Sequence, residues 1–167
     1  MIDAHTHLDA CGARDAVDVR AMLDRAEAVG VLAAVTIADD LDAARWAVQA
    51  ADWDPRVYAA VALHPTRAHA LTDAARAEIE ALAAHPRVVA IGETGMDLYW
   101  PGRLDGCARP AQQRESFAWH IELAKPPEKR LTRLEQLRLE QEEREKAARA
   151  GTPAPQSRAS SSREGTA

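Results

Sequence analysis

Aromatic residues are scarce in this chain: one Phe, two Tyr and four Trp among 167 residues, or 4%. Its core must therefore be built from aliphatic side chains, and alanine supplies many of them. Only two cysteines are present, Cys11 and Cys107, without the tight spacing of a redox or zinc motif, so both are expected to be small reduced residues. No apolar run is long enough to cross a bilayer. The opening residues, Met1-Ile2-Asp3-Ala4-His5, have neither the basic start nor the apolar stretch of a secretion signal, so a cytoplasmic protein with no membrane partner is expected. No Gly-x-Gly-x-x-Gly turn follows the first apolar run, and there is no phosphate loop, Ser nucleophile elbow or paired-Cys motif. Activation of water by a metal is the chemistry left best supported.

The formal net charge is −5, unevenly spread. Acidic residues outnumber basic ones up to Lys125, and the remainder is slightly basic. Bulk charge therefore does not advertise nucleic-acid binding; a nucleic acid would have to meet a local patch or bind through metal.

Residues 1–125 repeat a strand-then-helix pattern. The first strand is expected over 2–7. Val19, Met22, Leu23 and Ala26 then recur at the helical period, with Gly30 as a natural stop. Residues 31–37 form a continuous apolar run, as expected of a parallel strand buried on both faces. Asp39 and Asp40 can cap a helix carrying Ala44, Ala47, Val48 and Ala51. A third strand is expected over 57–63. Thr72 can cap a third helix with Ile79, Leu82 and Ala83 on its inner stripe, ended by Pro86. A fourth strand is expected over 87–91, and Phe117, His120, Ile121 and Ala124 mark a fourth helix in which His120 serves packing. Four consecutive βα units predict an α/β fold with a parallel sheet and right-handed crossovers, either doubly wound or part of a (βα)-barrel.

Composition changes at Pro126-Pro127. Residues 126–150 are dense in mixed charge and predicted helical, with leucine spacing too short-lived for a coiled coil. Residues 151–167 are rich in Pro, Ser and Gly and are expected to be disordered.

The polar residues of interest follow strand ends, the edge where parallel α/β folds build their sites. His5 and His7 stand at i and i+2 on a strand, so their imidazoles share a face and can grip one divalent cation. Alternatively, both are satisfied by nearby carbonyls. Glu93 lies in Ala90-Ile91-Gly92-Glu93-Thr94-Gly95, a carboxylate between two glycines that suits close approach to an ion, or else a capping or solvated acid. His64, before Pro65, is a candidate substrate group or an ordered loop histidine. Asp97 can orient a ligand or a water, or sit in a surface turn.

At these residues the chain resembles the TatD family of metal-dependent hydrolases, often described as deoxyribonucleases. The matching pieces are Met1-Ile2-Asp3-Ala4-His5-Thr6-His7-Leu8-Asp9, Ala62-Leu63-His64-Pro65 and Ile91-Gly92-Glu93-Thr94-Gly95-Met96-Asp97-Leu98-Tyr99-Trp100. Gln113, Phe117 and His120-Ile121-Glu122-Leu123-Ala124-Lys125 continue the match, in order and spacing, over nearly all of residues 1–125. The resemblance implies a TIM-barrel-like fold of the amidohydrolase type. It implies that His5 and His7 bind one metal, that Glu93 lies at or between two, and that His64 helps bind substrate. The implied cofactors are divalent ions (Mg, Mn or Zn), and the implied reaction is attack of metal-activated water on phosphodiester bonds of DNA. Thr66 stands where many members have a second His.

After the fourth helix the family continues through further strands that carry two histidine ligands and an aspartate base. This chain has no His after His120 and no Asp after Asp105. The expectation is accordingly a half-barrel over 1–125, inactive or weakly active alone, with no catalytic residue assigned. Its exposed half-barrel edges are expected to favour self-association. The contrasting reading is a non-catalytic interaction protein that recruits a partner through the charged helix of 126–150.

Overall fold

The computed structural model describes residues 1–125 and, further on, 141, 142, 145 and 146, which are helical. The chain divides into two units, Met1–Pro126 and Pro127–Ala167. The helix expected over 126–150 and the tail expected over 151–167 lie outside the described residues, those four positions apart.

The first unit runs β1 (Ile2–Thr6), α1 (Ala16–Glu27), β2 (Ala33–Ile37), α2 (Leu41–Trp53) and β3 (Val57–Ala60). A short 3₁₀ helix (Pro65–Ala70) follows, then α3 (Asp73–Ala83), β4 (Val88–Ala90) and α4 (Pro110–Ala124). Each α-helix start has a local cause. The carboxylate of Asp15 accepts from the Val17 and Asp18 amides, that of Asp40 from Ala43, and the Thr72 hydroxyl from Ala75. Pro110 opens α4, and the Gln112 side chain accepts from the Arg109 amide. Of the two candidate caps for α2, Asp40 is the one used. Helix α1 runs to Glu27 and Gly30 is its stop, as expected: at φ +90° its amide donates to the Glu27 carbonyl and the Val31 amide to that of Ala26.

The four strands are parallel and lie in the order β1-β2-β3-β4. A doubly wound sheet reverses its strand order part-way, and this one does not. Sequential order with one crossover hand puts every helix on the same face, as in a (βα)-barrel. On that face Ala34, Val57 and Ala59 pack with Val19 and Leu23 of α1 and Ala47, Ala50 and Ala51 of α2. A second cluster joins Ala38, Ala44, Val61, Leu63 and Ile79. The alanines carry little bulk, which lets the helices approach the sheet closely and explains how so few aromatics suffice.

Two strand expectations need correction. Strand β2 is not buried on both faces: Ala34 and Thr36 are buried, while Ala33 and Val35 are half-buried. The helices cover one face only, so the other stays partly open. The regular strands are also shorter than their apolar runs, although pairing continues beyond them. The Val61 amide donates to the Ala90 carbonyl, the Gly92 amide to Val61, and the Ala38 amide to Ala60. Among the described residues β1 pairs only with β2, and β4 only with β3.

At the opposite end of the sheet from the strand C-termini, the buried Asp54 carboxylate accepts from the Arg56 amide and guanidinium. That guanidinium also reaches Asp24 and Glu27 of α1. Hydrogen bonds from Arg56 hold the Asp54 carboxyl below its ordinary value. Their stabilisation is therefore present above the ordinary carboxylate range and lost as pH falls through the depressed value. Asp54→Ala is expected to cost about 1–3 kcal/mol, because it removes a buried acceptor that takes the Arg56 amide and two charge-assisted guanidinium hydrogen bonds. Urea denaturation checks this, and an unchanged midpoint would contradict it.

Candidate metal centre

The site forms where the strands end. The segments leaving β3 and β4 are tied to the one leaving β2: the Glu93 amide donates to the Ala38 carbonyl at 3.3 Å, and the His64 amide to the Asp39 carbonyl at 2.9 Å. These bonds bring Glu93 and His64 to the mouth where β1 delivers His5 and His7. The peptide between Gly92 and Glu93 is cis. Of the two glycines beside Glu93, Gly95 needs to be glycine, at φ +144°. A Cβ at Gly92 would meet Ala60 at an ordinary 3.9 Å.

His5, His7 and Glu93 each offer a ligand atom, all within 4.8 Å of one another. Nε2 of His5 lies 3.6 Å from Oε2 of Glu93, and Nε2 of His7 lies 3.8 Å from the same oxygen. A cation about 2.1 Å from each donor sets tetrahedral donor pairs about 3.4 Å apart, so these two pairs need to close by only a few tenths of an ångström. Two imidazole nitrogens and a carboxylate oxygen are a donor set suited to a divalent ion. His5, His7 and Glu93 can thus hold one, in agreement with the expected cofactor class.

The two inner histidines present opposite chemistry. Nδ1 of His7 lies 2.9 Å from the Ile37 carbonyl, which can only accept, so Nδ1 carries a proton and Nε2, facing Glu93, is the nitrogen left to an ion. At His64 the Thr66 amide donates to Nδ1 at 3.2 Å, and the Thr66 hydroxyl lies 2.7 Å from the same atom. An amide can only donate, so Nδ1 accepts and the His64 proton sits on Nε2, 3.8 Å from Oε1 of Glu93. His7 is arranged as a ligand, and His64 as a hydrogen-bond donor at the edge of the same cluster. His5 differs from both: its side chain is 57% exposed.

Asp97 is not brought into this cluster. Its carboxylate accepts from the Tyr99 and Trp100 amides, and its backbone is held on both sides by Gln113, whose side chain is buried. Two residues noted in the sequence make contacts here that it did not specify. Asp39 approaches Nδ1 of His7 at 3.9 Å, on the side away from Glu93. Thr66 sets the His64 tautomer, and its position two residues after a histidine was the available signal. His120 is buried as expected, but it is also hydrogen-bonded to three segments: the Leu63 amide donates to Nε2, Nδ1 donates to the Ser116 carbonyl, and the Thr94 hydroxyl lies 3.1 Å from Nδ1.

A model of the family described as TatD related DNase matches residues 2–132. The chain is 75% identical over 125 residues to an uncharacterized metal-dependent hydrolase TatD of Mycobacterium tuberculosis, covering 75% of this chain and 47% of that protein. It is 34% identical over 125 residues to the uncharacterized metal-dependent hydrolase YabD of Bacillus subtilis, covering 75% of this chain and 46% of that one. Over 108 residues it is 32% identical to a 3'-5' ssDNA/RNA exonuclease TatD of Musicola paradisiaca, covering 64% and 39%. The crystal structure of YJJV, a TatD homologue from Escherichia coli, superimposes with a TM-score of 0.62 at 26% identity, covering 75% of this chain and 46% of that one. The chain therefore spans about half the length of the curated relatives it matches.

Proposed function

The chain belongs to the TatD-related DNase family, and from that premise we propose that it carries part of a metal-dependent phosphodiesterase site acting on nucleic acid. The observation that carries the reading is the meeting of His5, His7 and Glu93 around one point, with a His64 N–H beside them. A divalent ion there supplies Lewis-acid activation of water and of a phosphoryl oxygen. In this proposal His5 and His7 hold the ion through Nε2, and Glu93 offers it one oxygen. His64 donates its Nε2 proton to a phosphoryl oxygen and so orients the substrate. Asp97 holds the turn that follows Glu93. The exonuclease-named relative supports single-stranded DNA or RNA as the substrate class.

Alone, the chain is proposed to be inactive or weakly active. Three protein donors leave an ion largely to solvent, and the half-exposed His5 cannot exclude water. Among the described residues no side chain stands free beside the donors as a base. In this reading Glu93 is a ligand, His64 presents a proton, Asp97 lies outside the cluster with Oδ1 accepting from two turn amides, and Asp39 lies behind His7. The expected result with end-labelled single-stranded DNA and Mn²⁺ or Mg²⁺ is cleavage at or near background. Clear turnover that disappears in His5→Ala would overturn the proposed inactivity and support the site. A cytoplasmic setting is part of the proposal, supported by the two free thiols of Cys11 and Cys107.

A further inference from the structure

We propose that His120 is a positioning residue for this site, one that sets the separation of His64 from Glu93. This rests on the reading of those residues as ligand and substrate groups. Its ring is fully buried in α4, far along the chain from either residue. The Leu63 amide, immediately before His64, donates to Nε2 at 3.3 Å. The Thr94 hydroxyl, immediately after Glu93, lies 3.1 Å from Nδ1. Nδ1 also donates to the Ser116 carbonyl at 2.8 Å, one turn back on the same helix. One ring thus links the backbone entering His64 with the Thr94 side chain that follows Glu93, and anchors both to α4.

The bonding is specific in chemistry as well as place. The Leu63 amide can only donate and the Ser116 carbonyl can only accept, so the ring must be neutral with its proton on Nδ1, which the Thr94 hydroxyl oxygen shares as a second acceptor. Burial favours that neutral form. A purely apolar residue of the same size would fill the space and leave the Leu63 amide without a buried partner. Trp119 also packs edge-on against the ring, with centroids 4.8 Å apart. The Leu63 bond and the Thr94 contact tie the segments before His64 and after Glu93 to this one ring.

The test uses the full chain and two substitutions. His120→Phe keeps the ring volume and removes both nitrogens; His120→Gln restores an acceptor near the position of Nε2. Mn²⁺ affinity, measured by electron paramagnetic resonance titration, is expected to fall about tenfold or more in His120→Phe, as losses of outer hydrogen bonds at metal sites do, and to recover in His120→Gln. In the metal-free protein, the NMR signals of the His64 imidazole and the Glu93 carboxyl are expected to move in His120→Phe and return in His120→Gln. Recovery distinguishes positioning from bulk packing, and a loss that His120→Gln does not restore overturns the inference. Unmoved signals overturn it as well. If the unsubstituted chain binds no Mn²⁺, the metal-centre reading fails, while the metal-free signals still decide the role of His120. Should His120→Phe not fold, Thr94→Val removes one bond alone: displacement of the Glu93 signal supports the inference and an unchanged signal overturns it.

Discussion

Mn²⁺ affinity is expected to fall by about two orders of magnitude or more in His7→Ala, and by less in His5→Ala. Both remove one of three donors, but the donors differ in how firmly they are held. The Ile37 carbonyl fixes the His7 tautomer and ring direction before any ion arrives. Loss of outer partners alone typically weakens metal binding 10–100-fold, and loss of a pre-oriented ligand exceeds that. The His5 ring is 57% exposed and must be ordered when it binds, so part of its contribution is offset by entropy. Isothermal titration of the three proteins reads the order directly. Equal losses would show that pre-orientation by Ile37 contributes nothing, and no loss in His7→Ala would remove His7 from the site.

The second large effect concerns assembly. Strands β1 and β4 each offer an unpaired edge among the described residues, a template for pairing with another chain. Ile2 is 63% exposed and Val89 55%, and the segment after Glu93 adds Leu98 and Trp100 to the exposed apolar surface. The relatives, about twice as long, have chain available to cover such edges. Light scattering after size exclusion is expected to give an average mass that exceeds a monomer and rises with concentration. Val89→Lys places a charge on the β4 edge and is expected to shift the distribution toward monomer. A single monomeric species at every concentration would contradict the proposed self-association.

How far these features could be read in advance depended on the kind of signal. The succession of strands and helices, the helix stripes and caps such as Thr72 were legible because periodicity and capping chemistry act locally, whereas the order of strands in the sheet was left open between two folds. His5 and His7 were legible because a two-residue spacing on a strand fixes a shared face. Glu93 and His64 were placed at the same edge by the logic of parallel sheets. What stayed hidden depends on contacts far apart in sequence. Nothing in the run after His64 has an apolar period, so the 3₁₀ helix of Pro65–Ala70 was missed, together with the Thr66 hydrogen bonds that set the His64 tautomer. The helical stripe showed that His120 would be buried, but a stripe carries no information on polar partners 26 and 57 residues away. For Asp97, the turn amides of Tyr99 and Trp100 were the nearer partners.

The central claim is that His5, His7 and Glu93 together hold one divalent ion. Pulsed electron paramagnetic resonance of the chain with one equivalent of Mn²⁺ tests it most directly, because nitrogen and oxygen ligands give different couplings. The account predicts coupling to two imidazole nitrogens, reduced to one in His7→Ala. Mn²⁺ bound with no nitrogen coupling, or with coupling unchanged in His7→Ala, would contradict it.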